Sequence, residues 1–281
     1  MLYLYTSSNN SKRASHKYTF ESLRDFATWL DNAPRTWRLS SSTLLDAEHS
    51  KHSWALGCDY PQAVKYAANG WLEGAQRPQR ALARIAPRQP AKRLRNDYSG
   101  FRPHVPRYCA GAPNCMVSKG NTSGSKPVLH IYVSISTSWR TDAECMANYC
   151  IAIAQYVRQL ELAGTRCAVY MVSALLYHYA RQSFQINVKG ADQPLDLSVL
   201  AFAIGHPAML RRLIFAAIER GEAKEQMGYG TPMDVVHSDL TGAPSNVAIL
   251  NGMKNVNSTS TTPEKAIEAV SREIERNRDN V

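Results

Sequence analysis

Residues 126–175 constrain the fold more than any other part of the chain. The run KPVLHIYVS (126–134) lacks the apolar–polar alternation of a strand with one wet face, so it predicts a strand buried on both faces. A polar turn, ISTSWRTD, follows. Next comes AECMANYCIAIAQYVRQLELAG, with Thr141 or Asp142 placed to cap a long helix and Gly164 just past its end. A second strand, RCAVYMVSAL, starts at Arg166. Strand, long helix and strand make a βαβ unit in a parallel sheet. FQINVKG and VAILNG predict further strands. LSVLAFAIGHPAMLRRLIFAAIERG predicts two helical pieces broken at Gly205 and Pro207, and Thr262-Pro263-Glu264 a closing helix start. The expected class is α/β, a mostly parallel central sheet flanked by helices over residues 127–281.

Residues 1–75 predict a helix-rich N-terminal part. Leu2 to Tyr5 is a short strand candidate. Thr19 is placed to cap the helix FESLRDFATWL, whose Phe20, Leu23, Phe26, Ala27 and Leu30 recur at helical spacing. A second helix starts near Pro61 with Asp59 as its cap, and Ala63, Val64, Ala67, Ala68, Trp71 and Leu72 form its packing face.

Charge separates these two parts. Of the net +10, the stretch Arg77 to Arg107 supplies +8, from nine basic residues against the single acid Asp97. The first 75 residues carry 8 bases and 7 acids, and the chain after Arg107 carries 16 bases and 15 acids. So local a concentration points to a phosphate-rich partner. Arg77, Arg80, Arg84 and Arg88 step by three, four and four, which puts them on one helical face, with Pro78 near the helix start. The following stretch, which holds Lys92, Arg93, Arg95, Arg102 and Arg107, reads as an irregular loop laced with Tyr98, Phe101, His104 and Tyr108. Guanidinium forks bind phosphate, and aromatic rings stack on unpaired bases. The candidate nucleic-acid contacts are therefore Arg77, Arg80, Arg84, Arg88, Lys92, Arg93, Arg95, Tyr98, Phe101, Arg102, Arg107 and Tyr108. The Gly/Ser/Asn/Pro composition of residues 110–126 predicts a flexible connection, so the basic bridge and loop span 76–126.

Few other classes of chemistry are encouraged. There is no G-x-G-x-x-G, no G-x-x-x-x-G-K-[ST], no H-E-x-x-H and no G-x-S-x-G. Cys109 and Cys115 are spaced more widely than a zinc knuckle and lack a second pair, so they predict a plain loop, and no cofactor is expected. Cys145, Cys150 and Cys167 fall in core segments as reduced thiols, which suits a cytoplasmic protein. No apolar run approaches the roughly 18 residues of a membrane span, and MLYLYTSSNNSKR has the wrong order for a signal peptide. Tyr177, His178, Tyr179 and Arg181 form an aromatic-basic cluster that either extends a binding surface or caps the core. Arg211 and Arg212 read as surface residues.

Two resemblances add to this reading. VLHIYVSISTSW resembles the first motif of von Willebrand factor A-like domains, an apolar strand ending in Asp-x-Ser-x-Ser that holds a divalent metal. Here the motif is Ser134-x-Ser136-x-Ser138, with serine in the aspartate position. The resemblance implies a von Willebrand A-like or Rossmann-like sheet with a degenerate site used for packing or for holding a loop, unless Asp142 and Asp196 fold back toward it. Separately, WALGCDYPQAVKYAANGWLEGAQR resembles a stretch of tailed-bacteriophage proteins, on Trp54, Gly57, Ala63, Gly70, Trp71 and Gly74. Within that group the chain is similar to the single-stranded-DNA-binding transcription cofactors of N4-like phages. That similarity implies single-stranded DNA and a phage RNA polymerase as partners.

Overall fold

The computed structural model describes residues 1–7, 14–34, 53–83, 94–119, 128–138, 141–177, 180–221, 229–252, 268, 270, 272 and 273. The chain opens with β1 (Leu2–Ser7) and β2 (Ala14–Phe20), then α1 (Leu23–Asn32). Two helices follow, α2 (Tyr60–Asn69) and α3 (Leu72–Ala83). A small unit holds β3 (Leu94–Asp97), β4 (Arg102–Pro103), α4 (Val105–Cys109) and β5 (Met116–Lys119). The βαβ unit is β6 (Val128–Ser134), α5 (Ala143–Leu162) and β7 (Arg166–Tyr177), followed by β8 (Ala180–Lys189). Then come α6 (Leu197–Leu200), running into a π-helical turn over Ala201–Gly205, and a second π-helical turn, Met209–Ile214, running into α7 (Phe215–Ile218). The last strands are β9 (Thr231–Pro232) and β10 (Val247–Leu250).

The class is α/β, as the sequence predicts. The main sheet runs β1-β2-β8-β7-β6-β10, with β9 beside the end of β7. Along that path β2·β8, β7·β6 and β6·β10 are parallel, whereas β1·β2 and β8·β7 are antiparallel, so the sheet is mixed. Side-chain alternation divides its faces. Ile131, Val133, Met171, Phe184 and Ile186 meet the helices, while Tyr132, Val172 and Ala174 meet Val235 and Leu240 of the loop on the other side. The core does not follow the division into residues 1–75 and 127–281 expected from composition. β2 pairs with β8 from Ser15 opposite Arg181 to Phe20 opposite Ile186, and Tyr18 stacks on Phe184 at 4.9 Å.

Local rules explain most element ends. Asp59 and Asp142 accept backbone N–H groups of Gln62 (2.8 Å) and Cys145 (2.7 Å), each satisfying an orphan donor of a first turn. The expected start of α1 is corrected. Thr19 and Phe20 end β2, and Ser22 is the cap, accepting from Asp25 N–H at 3.0 Å. The second helix is also shorter than its pattern. Gly70 has φ +82°, and a Cβ there would fall 2.2 Å from Ser198 Oγ, so the chain turns and restarts as α3. Leu72, expected on the packing face, is consequently exposed. Pro78 lies inside α3 rather than at its start. The helix break at Gly205 and Pro207 is present, as a 64° bend between the two pieces.

Buried charge is the feature least like the expectation. Arg211 and Arg212 are not surface residues: they are 2% and 1% exposed. The Arg211 guanidinium donates to the carbonyls of Trp54 and Thr141, and Arg212 Nε donates to that of Cys58 at 3.1 Å. Both guanidinium groups lie over the Trp54 ring, at 5.3 and 6.0 Å. They tie the chain before α2 to the core. Lys189 is equally buried and donates to the carbonyls of Cys167 (2.7 Å) and Gly190 (3.1 Å) and to the Glu161 carboxylate (2.8 Å). Three ammonium protons thus meet three oxygens.

Candidate nucleic-acid interface

The second half of the basic bridge is not an irregular loop. It is a three-stranded antiparallel sheet in the order β3-β5-β4, so residues 116–119 of the expected flexible connection are its central strand. Asn96 and Arg102 both lie opposite Val117, one on each side of it. The chain must therefore cross over β5 within Tyr98-Ser99-Gly100-Phe101. Gly100 makes the crossing possible, because a Cβ there would sit 2.2 Å from the Val117 carbonyl oxygen. Phe101 N–H then donates to that same carbonyl at 3.0 Å. The His104 ring caps α4 through Nδ1, accepting from Arg107 N–H at 3.4 Å, and the His104 backbone N–H donates to the Cys115 carbonyl at 2.6 Å. Cys109 and Cys115 are free thiols bracketing this turn.

This small sheet presents rings to solvent. Tyr98, Phe101 and Tyr108 are 76%, 55% and 69% exposed. The Arg102 guanidinium lies 5.7 Å from the centre of the Phe101 ring. The lone acid of the bridge is turned to local duty, with Asp97 accepting from the Tyr98 N–H at 2.9 Å and the Ser118 hydroxyl at 3.5 Å.

The basic residues divide into three groups. Arg80 on α3 and Arg102 on β4 are exposed. Two others are partly committed: Arg77 donates to Glu144 of α5 at 2.6 Å, and Arg107 donates to Asn114 Oδ1 at 2.8 Å. Arg84, Arg88, Lys92 and Arg93 lie outside the described residues, and Arg95 occupies β3 opposite Ser118. Of the expected one-sided arginine helix, only Arg77 and Arg80 fall among the described residues.

The strand-end serines are used in packing. Ser136 Oγ accepts the Ala174 N–H at 2.7 Å and donates to the Ala174 carbonyl at 3.0 Å, closing the gap where β6 leaves β7. Ser134 Oγ accepts the Ser136 N–H at 3.3 Å. Neither aspartate folds back toward them. Asp142 caps α5. Asp196 caps α6, where burial raises its carboxyl pKa but hydrogen bonds from Ser198 and Val199 outweigh that and hold it below the usual range. Arg181, from the aromatic-basic cluster, is engaged with both carboxylate oxygens of Asp239. His178 and Tyr179 lie outside the described residues. His206 is buried, 2% exposed against Tyr66, Trp71 and Phe202.

The sequence pattern missed a cleft of about 250 Å³ between α3 and α5, lined by Trp71, Arg77, Glu144 and small residues of α5 and the π-helical turn. Its only advance signal was the density of Ala, Gly and Cys in those segments.

Fold and surface together define a mixed α/β protein that carries a separate small aromatic-bearing sheet. The chain belongs to the family described as a domain of unknown function, DUF7192, whose model matches residues 7–277. No curated protein and no solved structure matches it. No single helix among the described residues is long and apolar enough to cross a membrane.

Proposed function

We propose that the protein binds single-stranded nucleic acid, DNA in the first instance, through the small sheet of residues 94–119 and the basic residues around it. The supporting observation is the exposure of Tyr98 and Phe101 within the stretch that carries +8, and of Tyr108 directly after it. Single exposed rings are ordinary on protein surfaces. Three rings within eleven residues, one already under a guanidinium, make a stacking surface beside phosphate-binding charge. Duplex DNA hides its base faces, so rings of this kind favour a single strand. The resemblance of residues 54–77 to tailed-phage proteins extends the reading to a cytoplasmic accessory protein that brings RNA polymerase to a single-stranded template.

Fluorescence anisotropy with a labelled oligonucleotide, single-stranded and as its duplex, tests the reading. The single strand should bind more tightly. With about five phosphate contacts, a threefold rise in salt should weaken binding about 50-fold. Tyr98→Ala, Phe101→Ala and Tyr108→Ala should each weaken it by about 5- to 150-fold. Absence of binding at low salt would overturn the reading. It would instead favour a protein-docking role, for which the sheet edge at β1 is the specific observation: Leu2, Leu4 and Tyr5 are exposed there, on a strand without a charged side chain.

A further inference from the structure

We propose that the cleft between α3 and α5 seats one unstacked base of the bound strand. This rests on the nucleic-acid reading above and adds a second, enclosed contact to the open stacking surface.

Size, walls and rim agree on the occupant. At about 250 Å³ the cleft is smaller than the roughly 300–1,000 Å³ of pockets for larger ligands, and it suits a single ring system. Trp71 supplies an aromatic wall. Its ring lies directly on Gly74, where a Cβ would come within 2.0 Å, and meets His206 edge-on at 4.5 Å, so the indole is fixed before anything binds. The opposite wall is low, formed by Ala147, Cys150, Ala201 and Gly205. The charged lining residues are the exposed Glu73 and the pair Arg77 and Glu144, which meet at 2.6 Å with both side chains more than half exposed. A pair that open contributes little and is screened by salt. Arg77 can therefore exchange the carboxylate for a phosphate, which its guanidinium fork also binds in bidentate fashion, without a large penalty.

The lips of the cleft are held in place by the buried arginines. Arg211 bonds the carbonyls of Trp54 and Thr141, two residues before the lining residues Leu56 and Ala143. Arg212 bonds Cys58 on the far side of Leu56. Leu56 itself has φ +54°, the one non-glycine residue at positive φ among the described residues, and it is 48% exposed. A bulky apolar residue kept in that conformation at a cavity rim is strain that the surroundings maintain. Preformed lips also spare the ordering cost of binding.

The test uses the full chain and a labelled single-stranded oligonucleotide. Binding should quench indole emission, and the quench should shrink in Trp71→Phe. Ala147→Leu, which fills the cleft from a half-buried position, should weaken binding about tenfold. Glu144→Gln, which releases Arg77, should tighten it. If Ala147→Leu fails to melt cooperatively, an oligonucleotide of abasic sites on the unaltered protein replaces it, and that strand should bind without the Trp71 quench. Wild-type affinity and quench in Ala147→Leu, with Tyr98→Ala still weakened, would overturn the cleft inference and leave the nucleic-acid reading standing. Quench by the abasic strand equal to that by the normal strand would overturn it as well. No binding by the unaltered protein would overturn both.

Discussion

Arg211→Met should lower the melting midpoint by about 10 °C. Methionine nearly fills the space of the arginine side chain, so the change tests hydrogen bonding rather than cavity formation. Arg211 is 2% exposed, and burial brings its guanidinium pKa down to about 10, opposed by the charge of Asp142. It remains charged at neutral pH and donates to two carbonyls, those of Trp54 and Thr141. Removing the donor leaves both acceptors with less than they need, at about 1–3 kcal/mol each, and deletes the contact with the Trp54 ring. A total of about 3–5 kcal/mol, at roughly 2–4 °C per kcal/mol for a chain of this size, gives the stated drop. Replacing a buried charge by an apolar group is often neutral when its partner is replaced too. Here two of the partners are backbone carbonyls and cannot be. A melting curve within a degree or two of the unaltered protein would show that the clamp contributes little.

A second large effect should appear with pH. His206 is buried among rings, and its Nδ1 accepts the Ala208 N–H at 3.0 Å, which requires the neutral imidazole. Burial lowers its pKa from 6.5 to about 4. The folded state thus binds the proton less readily than the unfolded chain. Its contribution is fully present above pH 6.5, is lost as pH falls toward 4, and changes no further below that. The difference of 2.5 units corresponds to about 3 kcal/mol. Carboxylates contribute to acid destabilisation too, so the measurement is a difference: denaturant unfolding of the unaltered protein and of His206→Asn at pH 7 and pH 4. The amide oxygen of asparagine accepts the same N–H but does not titrate. His206→Asn should lose about 3 kcal/mol less than the unaltered protein over that interval. Equal losses would mean that His206 is not what senses the acid.

Legibility in the sequence followed the range of the interactions. β6, α5 and β7 were readable because a doubly buried strand writes its burial into its own composition, and Asp142 caps its helix through residues three apart. The break at Gly205 and Pro207 is equally local. β2 was missed although His16, Tyr18 and Phe20 are buried in strict alternation, because the helical spacing of Phe20, Leu23 and Phe26 competes for the same residues. The small sheet was missed for a different reason. LRND, RP and MVSK carry no apolar pattern, and what makes them strands is pairing across some twenty residues around Gly100. Arg211 and Arg212 were unreadable, since their acceptors at Trp54 and Cys58 lie more than 150 residues away. The aromatic and basic residues of the candidate interface follow from local charge density and the spacing of the arginines. Their arrangement on a folded scaffold, and the cleft beside α3, do not.

Photo-crosslinking tests the central claim most directly. A single-stranded oligonucleotide substituted with iodouracil is irradiated with the protein at low salt, and the crosslinked peptides are mapped. Attachment should map to Tyr98, Phe101 or Tyr108, competed by unlabelled single strand and not by duplex. Crosslinks confined to residues outside 77–119, or none above background, would contradict that claim.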